Sequence, residues 1–148
     1  MAELPPRLSV ITLGTRALPR MRQFYSGLGW TEVGGSTDDW AAFLLGGTVL
    51  ALYPMDELMA EAVPDGSVSA TDTGFSGVIL ACDVDSEDQV DVAFQAAVAA
   101  GATPVAEPVA REWGGRSGYI ADPEGNRWEI AWVPSAKFNE RGAVTSFG

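Results

Sequence analysis

Apolar and polar positions along the chain follow two different periods, and the order of those periods is repeated. An apolar run, RLSVITLGT, is followed by a helical pattern, LPRMRQFYSGLG, and then by WTEV. The same order returns in FSGVILACDV, SEDQVDVAFQAAVAAG and ATPV. Because a period of 2 is typical of strands and 3.6 of helices, each half predicts a strand, a helix and a second strand.

Both predicted helices have local start and stop signals. Ser86 and Gln89 have the spacing of a capping box, and Gly101 suits the position after the last turn. Pro19 falls in the first turn of the earlier helix, where a missing N–H is tolerated. These signals predict where the helices begin and end.

Two further strands follow in each half. Gly46-Gly47 is a two-residue hairpin turn, and Asp122-Pro-Glu-Gly125 has the residues of a four-residue turn. Each half is therefore predicted to be a βαβββ module. The first turn also sets the register, so that it pairs Leu44 with Val49, Ala42 with Ala51 and Trp40 with Tyr53.

The chain is predicted to be a single domain, 1–148, because its length is typical of one domain. We divide it into a first module, 7–54, a linker, 55–74, a second module, 75–134, and a C-terminal tail, 135–148. The sequence PMDELMAEAV in the linker is compatible with a short helix.

Charge and composition exclude several classes of function. The net charge of −11 disfavours binding to nucleic acid or to anionic membranes. We expect a cytoplasmic protein, because the N-terminal residues lack the features of a signal peptide. The single cysteine, Cys82, is predicted to be a buried, inert thiol. The absence of histidine excludes Ser-His and Cys-His nucleophile pairs.

Two motifs resemble those of the vicinal oxygen chelate superfamily, which contains glyoxalase I, extradiol dioxygenases and the bleomycin-resistance proteins. They are Phe24-Tyr25 with Leu28-Gly29-Trp30, and DPEGNRWE at 122–129. The resemblance covers residues 7–134 and implies an α+β fold, in which the curved mixed sheets of two βαβββ modules enclose a cavity. Ala17 departs from the aspartate that often caps the first helix in this family.

The resemblance also assigns four positions to metal ligands, on the first and last strand of each module. In this sequence those positions hold Val10, Ala51, Gly77 and Glu129. Three of them have no ligating side chain, and a single carboxylate does not hold zinc, nickel or iron. We therefore predict no metal and no other cofactor, and expect Glu129 to contact an organic ligand.

Strand alternation predicts which side chains share the cavity with Glu129. Arg127 lies on the same face of the last strand, and the pairing of Trp40 with Tyr53 predicts an aromatic pair. The complete predicted lining is Val10, Thr12, Trp40, Ala42, Val49, Ala51, Tyr53, Gly77, Ile79, Trp113, Arg127 and Glu129. Two simpler interpretations remain open: Arg127 and Glu129 pair with each other, or the two aromatic residues only pack in the core.

Three functions are compatible with this cavity. The first is a metal-independent binder of a small aromatic or cationic molecule, similar to bleomycin-resistance proteins and, on that resemblance, a homodimer. The second is a metal-free isomerase or lyase with Glu129 as general base, in which Arg127 or Arg116 stabilises an enolate. The third is a glyoxalase-type metalloenzyme whose ligands the sequence comparison does not reveal.

Overall fold

The computed structural model describes residues 4–68, 70 and 75–148. The elements of the first module are β1 (Val10–Thr15), α1 (Leu18–Gly27), β2 (Ala41–Leu45) and β3 (Thr48–Pro54). The linker contains α2 (Met55–Ala62). The second module contains β4 (Leu80–Asp83), α3 (Glu87–Ala99), β5 (Thr103–Ala110), β6 (Arg116–Ala121) and β7 (Arg127–Trp132), and the tail forms a hairpin of β8 (Lys137–Phe138) and β9 (Val144–Ser146).

The two modules have sheets of the same topology. The first sheet has the order β1-β3-β2 and the second has the order β4-β7-β6-β5. In each, the first strand runs parallel to the last, and the remaining pairs are antiparallel. The predicted α+β fold with mixed sheets is confirmed.

One predicted strand is much shorter than its counterpart. The ATPV segment is the start of β5, whereas WTEV forms only a bridge between Glu32 and Phe43. The backbone leaves the sheet after Val33, whose N–H donates to the carbonyl of Ala42, because Gly34-Gly35 and polar turn residues follow.

The first hairpin has the predicted register. Leu44 pairs with Val49 and Ala42 with Ala51. The ladder stops at Ala41 and Leu52, one residue before Trp40. The carbonyl of Trp40 instead accepts a hydrogen bond from the N–H of Thr37, so Trp40 lies in the preceding loop.

The helix signals also agree with the structure. Gln89 Oε1 accepts the backbone N–H of Ser86 at 3.1 Å at the start of α3. Gly101 follows the end of that helix with φ +119°, a conformation that side chains rarely adopt.

The second module supplies the cap that α1 lacks at Ala17. The Glu124 carboxylate accepts the backbone N–H groups of Arg16, at 2.8 Å, and Ala17, at 3.1 Å. It also accepts the hydroxyl of Thr15. A carboxylate at this end of a helix is favoured both by the free N–H groups and by the helix dipole. The cap therefore ties the two modules together.

A buried hydrogen-bonded chain joins the modules a second time. Tyr25 Oη donates to Asp122 Oδ2 at 2.6 Å, and Trp128 Nε1 donates to Tyr25 Oη at 3.0 Å. Burial, followed by the negative charge of Asp122, raises the pKa of Tyr25 well above its ordinary value. Tyr25 therefore stays a neutral donor within a core shared by both sheets.

Cys82 is exposed, contrary to the sequence prediction. It lies on β4, which is the edge strand of its sheet and has no neighbouring strand on one side. Partial desolvation and the nearby Asp83 still raise the pKa of its thiol, which lowers the thiolate fraction at neutral pH. Separately, no helix in the described part of the chain is long and apolar enough to cross a membrane.

Candidate functional site

Glu129 lies in the middle of β7 and has a neighbour on each side in the sheet. Ala81 of β4 pairs with it in parallel, and Tyr119 of β6 pairs with it in antiparallel register. Directly paired residues present their side chains on the same face. The small side chain of Ala81 leaves space beside the half-buried carboxylate, and Tyr119 Oη donates to Glu129 Oε2 at 3.2 Å.

A second carboxylate shares this face. Asp83 lies two residues beyond Ala81 on β4, and the alternation of the strand turns both toward the same side. Burial first, and then the negative charge of Glu129, raise the pKa of Asp83. The two acids therefore repel each other when both are ionised, and a positive charge placed between them would relieve that repulsion.

Arg111 contacts the other side of Tyr119. Its guanidinium carbon lies 5.9 Å from the centre of the tyrosine ring. Arg111 also donates to Ser117 Oγ at 2.8 Å and to the Ser117 carbonyl at 3.2 Å, which fixes it in place. Burial and Glu129 raise the pKa of Tyr119, while Arg111 lowers it. At neutral pH Tyr119 is consequently a protonated hydrogen-bond donor.

Asp83 and Glu129 line a cavity of about 380 Å³. Two aromatic side chains lie at its mouth: Trp113 is 52% exposed and Phe147, from the tail, is 59% exposed. Gly115 leaves room for Trp113, because a Cβ at that position would collide with the indole ring. The cavity is lined by Ala81, Asp83, Trp113, Glu129, Ala131, Val133 and Phe147.

The predicted single cavity differs from what the chain forms. Of the predicted lining, only Trp113 shares the cavity of Glu129. Thr12 and Arg127 lie together in a separate cavity. The remaining residues line none of the four principal cavities formed by the described residues; they are Val10, Trp40, Ala42, Val49, Ala51, Tyr53, Gly77 and Ile79.

The linker helix explains part of this difference. α2 lies against the face of the first sheet that was expected to line the cavity. A Cβ on Gly14 would be 2.7 Å from Met55 Sδ, and Tyr53 Oη donates to Glu61 Oε1 of this helix at 3.0 Å. Gly77 and Ile79 precede β4, which begins only at Leu80. The sequence indicated this helix but not the surface on which it packs.

Three further contacts that the sequence suggested are not found in the described part of the chain. Trp40 and Tyr53 make no aromatic contact in the described part of the chain. No ion pair joins Arg127 to Glu129 among residues 4–68, 70 and 75–148; Arg127 Nη1 donates instead to the carbonyl of Gly125 at 3.3 Å. Arg116 is 2.9 Å from Asp91 of α3, so its charge is directed away from Glu129.

Sequence reasoning missed four residues of the site: Asp83, Arg111, Tyr119 and Phe147. The pairing of Tyr119 with Glu129 follows from the register of the Asp122–Gly125 turn, and strand alternation in β4 indicates Asp83. Nothing in the local sequence indicates that Phe147 returns to this cavity, because its position depends on the tail.

The donor atoms at the site do not fit the transition metals that some members of the superfamily bind. Two carboxylates line the cavity and a phenol donates to one of them, without an imidazole or thiolate. Within the described residues no group of three or more His, Cys, Asp or Glu side chains is placed to hold a metal ion.

Two modules, in each of which the first strand runs parallel to the last, and a carboxylate on β7 are typical of one class of protein. The family model of the Glyoxalase/Bleomycin resistance protein/Dioxygenase superfamily matches residues 7–130, which is most of the chain. The protein belongs to this superfamily. No curated protein matches the chain.

Solved structures of the same superfamily have the same fold. A glyoxalase-related enzyme from Fulvimarina pelagi is 33% identical, covers 96% of this chain and 99% of its own, and gives a TM-score of 0.83. A glyoxalase/bleomycin resistance protein/dioxygenase from Nocardioides is 27% identical over 88% of this chain and 85% of its own, with a TM-score of 0.68. A lactoylglutathione lyase from Agrobacterium tumefaciens, at 20% identity over 88% of this chain and 96% of its own and a TM-score of 0.65, shows the fold alone.

Proposed function

We propose that the protein binds a small organic cation with an aromatic or apolar group, without a metal ion, in the cavity of Asp83 and Glu129. One observation carries the proposal: two carboxylates face the same open cavity, and Trp113 and Phe147 lie at its mouth. A carboxylate-lined cavity with exposed aromatic rings is chemically complementary to an ammonium or amidinium group attached to a flat or apolar body.

The electrostatic argument has a local part and a global part. Locally, the cation reduces the repulsion between Asp83 and Glu129, which is the second cause of the raised Asp83 pKa. A cation close to the face of Trp113 gains roughly 0.5–1 kcal/mol at an exposed site. Globally, a net charge of −11 attracts cations toward the protein and accelerates their association at low salt.

Tryptophan fluorescence tests this proposal. Titration with 1-naphthylmethylammonium should quench the fluorescence of Trp113 saturably. The neutral analogue 1-naphthylmethanol should bind at least about tenfold more weakly, because it cannot form an ion pair with the half-buried carboxylates. Asp83→Asn and Glu129→Gln should each weaken binding of the cation. Glu107 is an exposed acid on β5, so Glu107→Gln changes the net charge equally and should have little effect on binding. Equal affinity for the two probes, or equal effects of all three variants, contradicts the proposal.

A second candidate is a metal-free isomerase or lyase with Glu129 as general base. The observation that favours it is the hydrogen bond from Tyr119, since this chemistry requires an acid beside the base. Glu129 would remove a proton from carbon next to a carbonyl, and the Tyr119 hydroxyl would donate a hydrogen bond to the developing enolate oxygen. The related Fulvimarina pelagi protein is described as a glyoxalase-related enzyme, which supports testing for turnover.

Exchange of the substrate proton separates the two candidates. An enzyme of this kind would incorporate deuterium from heavy water next to the carbonyl of a substrate, such as an α-hydroxyketone, and Glu129→Gln would stop that incorporation while leaving the protein folded. A pure binder would incorporate none above the uncatalysed rate with any carbonyl compound that it binds.

We also propose that the protein is a homodimer, as the family resemblance implies. The first sheet supports this proposal with a row of apolar side chains across three strands. Val49 pairs with Val10 on one side and with Leu44 on the other, and Val10 and Leu44 are 50% and 59% exposed. A second copy that covers this row would remove apolar surface from water.

A further inference from the structure

A cavity larger than that of Glu129 lies apart from it and is not used by the proposed function. It has a volume of about 640 Å³ and lies between β1, α2 and the turn that leads into β7. Its lining consists of Ile11, Thr12, Leu13, Gly14, Arg16, Met55, Phe75, Ser76, Val78, Leu80, Glu124, Gly125, Asn126 and Arg127. Its size suits a small organic ligand.

Two arginines line this cavity, in a chain that has 9 basic and 20 acidic residues. Arg16 comes from the end of β1, and Arg127 is the first residue of β7. Neither forms an ion pair with a carboxylate in the range that the structure describes, 4–68, 70 and 75–148. Arg127 uses Nη1 for the carbonyl of Gly125, which leaves most of its donors available.

Glu124 is the one acidic residue among the lining residues, and it already has partners. Both of its carboxylate oxygens accept hydrogen bonds from the first residues at the start of α1, including the N–H groups of Arg16 and Ala17. Its carboxylate is therefore held at the helix start, where the dipole favours it, and its single negative charge is outnumbered by the two arginines. Asn126 is also engaged, because its Nδ2 donates to Asp122 Oδ2 at 2.8 Å. The polar side chains that remain for a ligand are those of Arg16, Arg127, Thr12 and Ser76.

The remaining lining residues are mainly apolar. Ile11, Leu13 and Leu80 come from the two strands that border it, and Met55 comes from the linker helix. Phe75 and Val78 are 64% and 60% exposed, so each presents apolar surface that a ligand can cover. The cavity thus combines two cationic side chains with several apolar ones.

We propose that this cavity is a second binding site, specific for a small carboxylic acid with an apolar body. The carboxylate lies between Arg16 and Arg127, and the apolar body covers Met55, Phe75 and Val78. Arginine matches a carboxylate with two parallel hydrogen bonds, which gives this site the opposite charge preference to the cavity of Glu129. The strongly acidic net charge opposes anion binding, and the local pair of arginines offsets this repulsion.

Backbone amide NMR with 1-naphthoate tests this site, with 1-naphthamide as the neutral control and octanoate as a second acid. We expect saturable shifts at residues 11–14 and 125–127 with both acids, and at least about tenfold weaker binding of the amide, because it lacks the charge-assisted hydrogen bonds. Arg16→Gln and Arg127→Gln should each weaken 1-naphthoate by a similar factor. Arg20→Gln removes the same charge from an exposed position of α1 that lines no principal cavity, and should leave the affinity within about twofold.

The cavity of Glu129 provides an independent control. Glu129→Gln should not weaken binding of 1-naphthoate, because Glu129 lines the other cavity. Failure of the cation proposal would therefore leave the carboxylate-site proposal intact. Shifts confined to other residues, equal binding of acid and amide, full affinity in both arginine variants, or no shift with either acid at millimolar concentration would overturn it.

Discussion

Tyr119 and Glu129 face each other across β6 and β7, with Tyr119 Oη 3.2 Å from Glu129 Oε2. This distance is long for a bond between a hydroxyl and a carboxylate, so a ligand can replace it at small cost. The hydrogen bond from Tyr119 therefore orients the Glu129 carboxylate, and it can break when a cation or a carbonyl compound enters the cavity.

Replacing Tyr119 by Phe distinguishes binding from catalysis. The variant keeps the ring beside Arg111 and removes only the hydroxyl. For a cation binder, calorimetric affinity for 1-naphthylmethylammonium should change by no more than about fivefold, since one hydrogen bond is worth about 1 kcal/mol or less. For a metal-free isomerase, turnover should fall by about 100-fold or more with little change in substrate binding. Parallel loss of binding and folding would contradict both expectations.

Asp83→Asn is expected to stabilise the protein at neutral pH. The folded-state pKa of Asp83 lies above its unfolded value, so the folded state takes up protons more readily as the pH falls toward the ordinary aspartate range. Ionised Asp83 consequently opposes folding at pH 7, and protonation removes this penalty. The melting temperature of the variant should exceed that of the wild type at pH 7, and the difference should shrink near pH 4. A variant that melts lower at pH 7 would contradict the sign of this argument.

Glu124→Ala tests the cap that the second module provides for α1. The variant leaves the N–H groups of Arg16 and Ala17 without their partner, and loss of a helix cap costs about 1 kcal/mol. Denaturant unfolding should show a decrease of this order, while Glu107→Ala should leave stability unchanged within about 0.5 kcal/mol.

Rescue makes the same experiment specific. Adding Ala17→Asp to the Glu124→Ala background places a carboxylate at the position that precedes the helix, where it should restore most of the lost stability. If Glu124→Ala is neutral, or if the added aspartate has no effect, the cap does not contribute as the geometry indicates.

Leu44→Asp tests the proposed dimer. The side chain is exposed in the single chain, so the substitution should leave the fold intact, and a charge within a buried apolar interface would strongly oppose association. Sedimentation should show a dimer for the wild type and a monomer for the variant, with unchanged circular dichroism. A wild-type monomer at micromolar concentration, or a dimer that is unaffected by the substitution, would contradict the proposal.

Local sequence signals predicted the fold well where they determine structure by themselves. The repeated periods, the Ser86–Gln89 capping box and the Gly46-Gly47 turn all have physical effects within a few residues, and apart from the WTEV segment the structure agrees with them. The same holds for the position of Glu129 on the last strand. These features needed no knowledge of how the modules pack.

The composition of the site depended on longer-range contacts that the local pattern does not contain. Whether α2 covers the first sheet, and whether Phe147 reaches the cavity of Glu129, is decided by tertiary packing. The same is true of Glu124, which caps a helix more than 100 residues away in sequence. Strand alternation assigns a side chain to a face, but it does not say what covers that face.

The central claim is that Asp83 and Glu129 bind an organic cation directly, without a metal ion. The most direct measurement is a calorimetric titration of chelator-treated, metal-free protein with 1-naphthylmethylammonium, repeated after addition of zinc, nickel or manganese and with the Asp83→Asn, Glu129→Gln double variant. The account predicts the same saturable binding with and without metal, and its loss in the double variant. Binding that appears only when a metal is added, or that survives in the double variant, would contradict it.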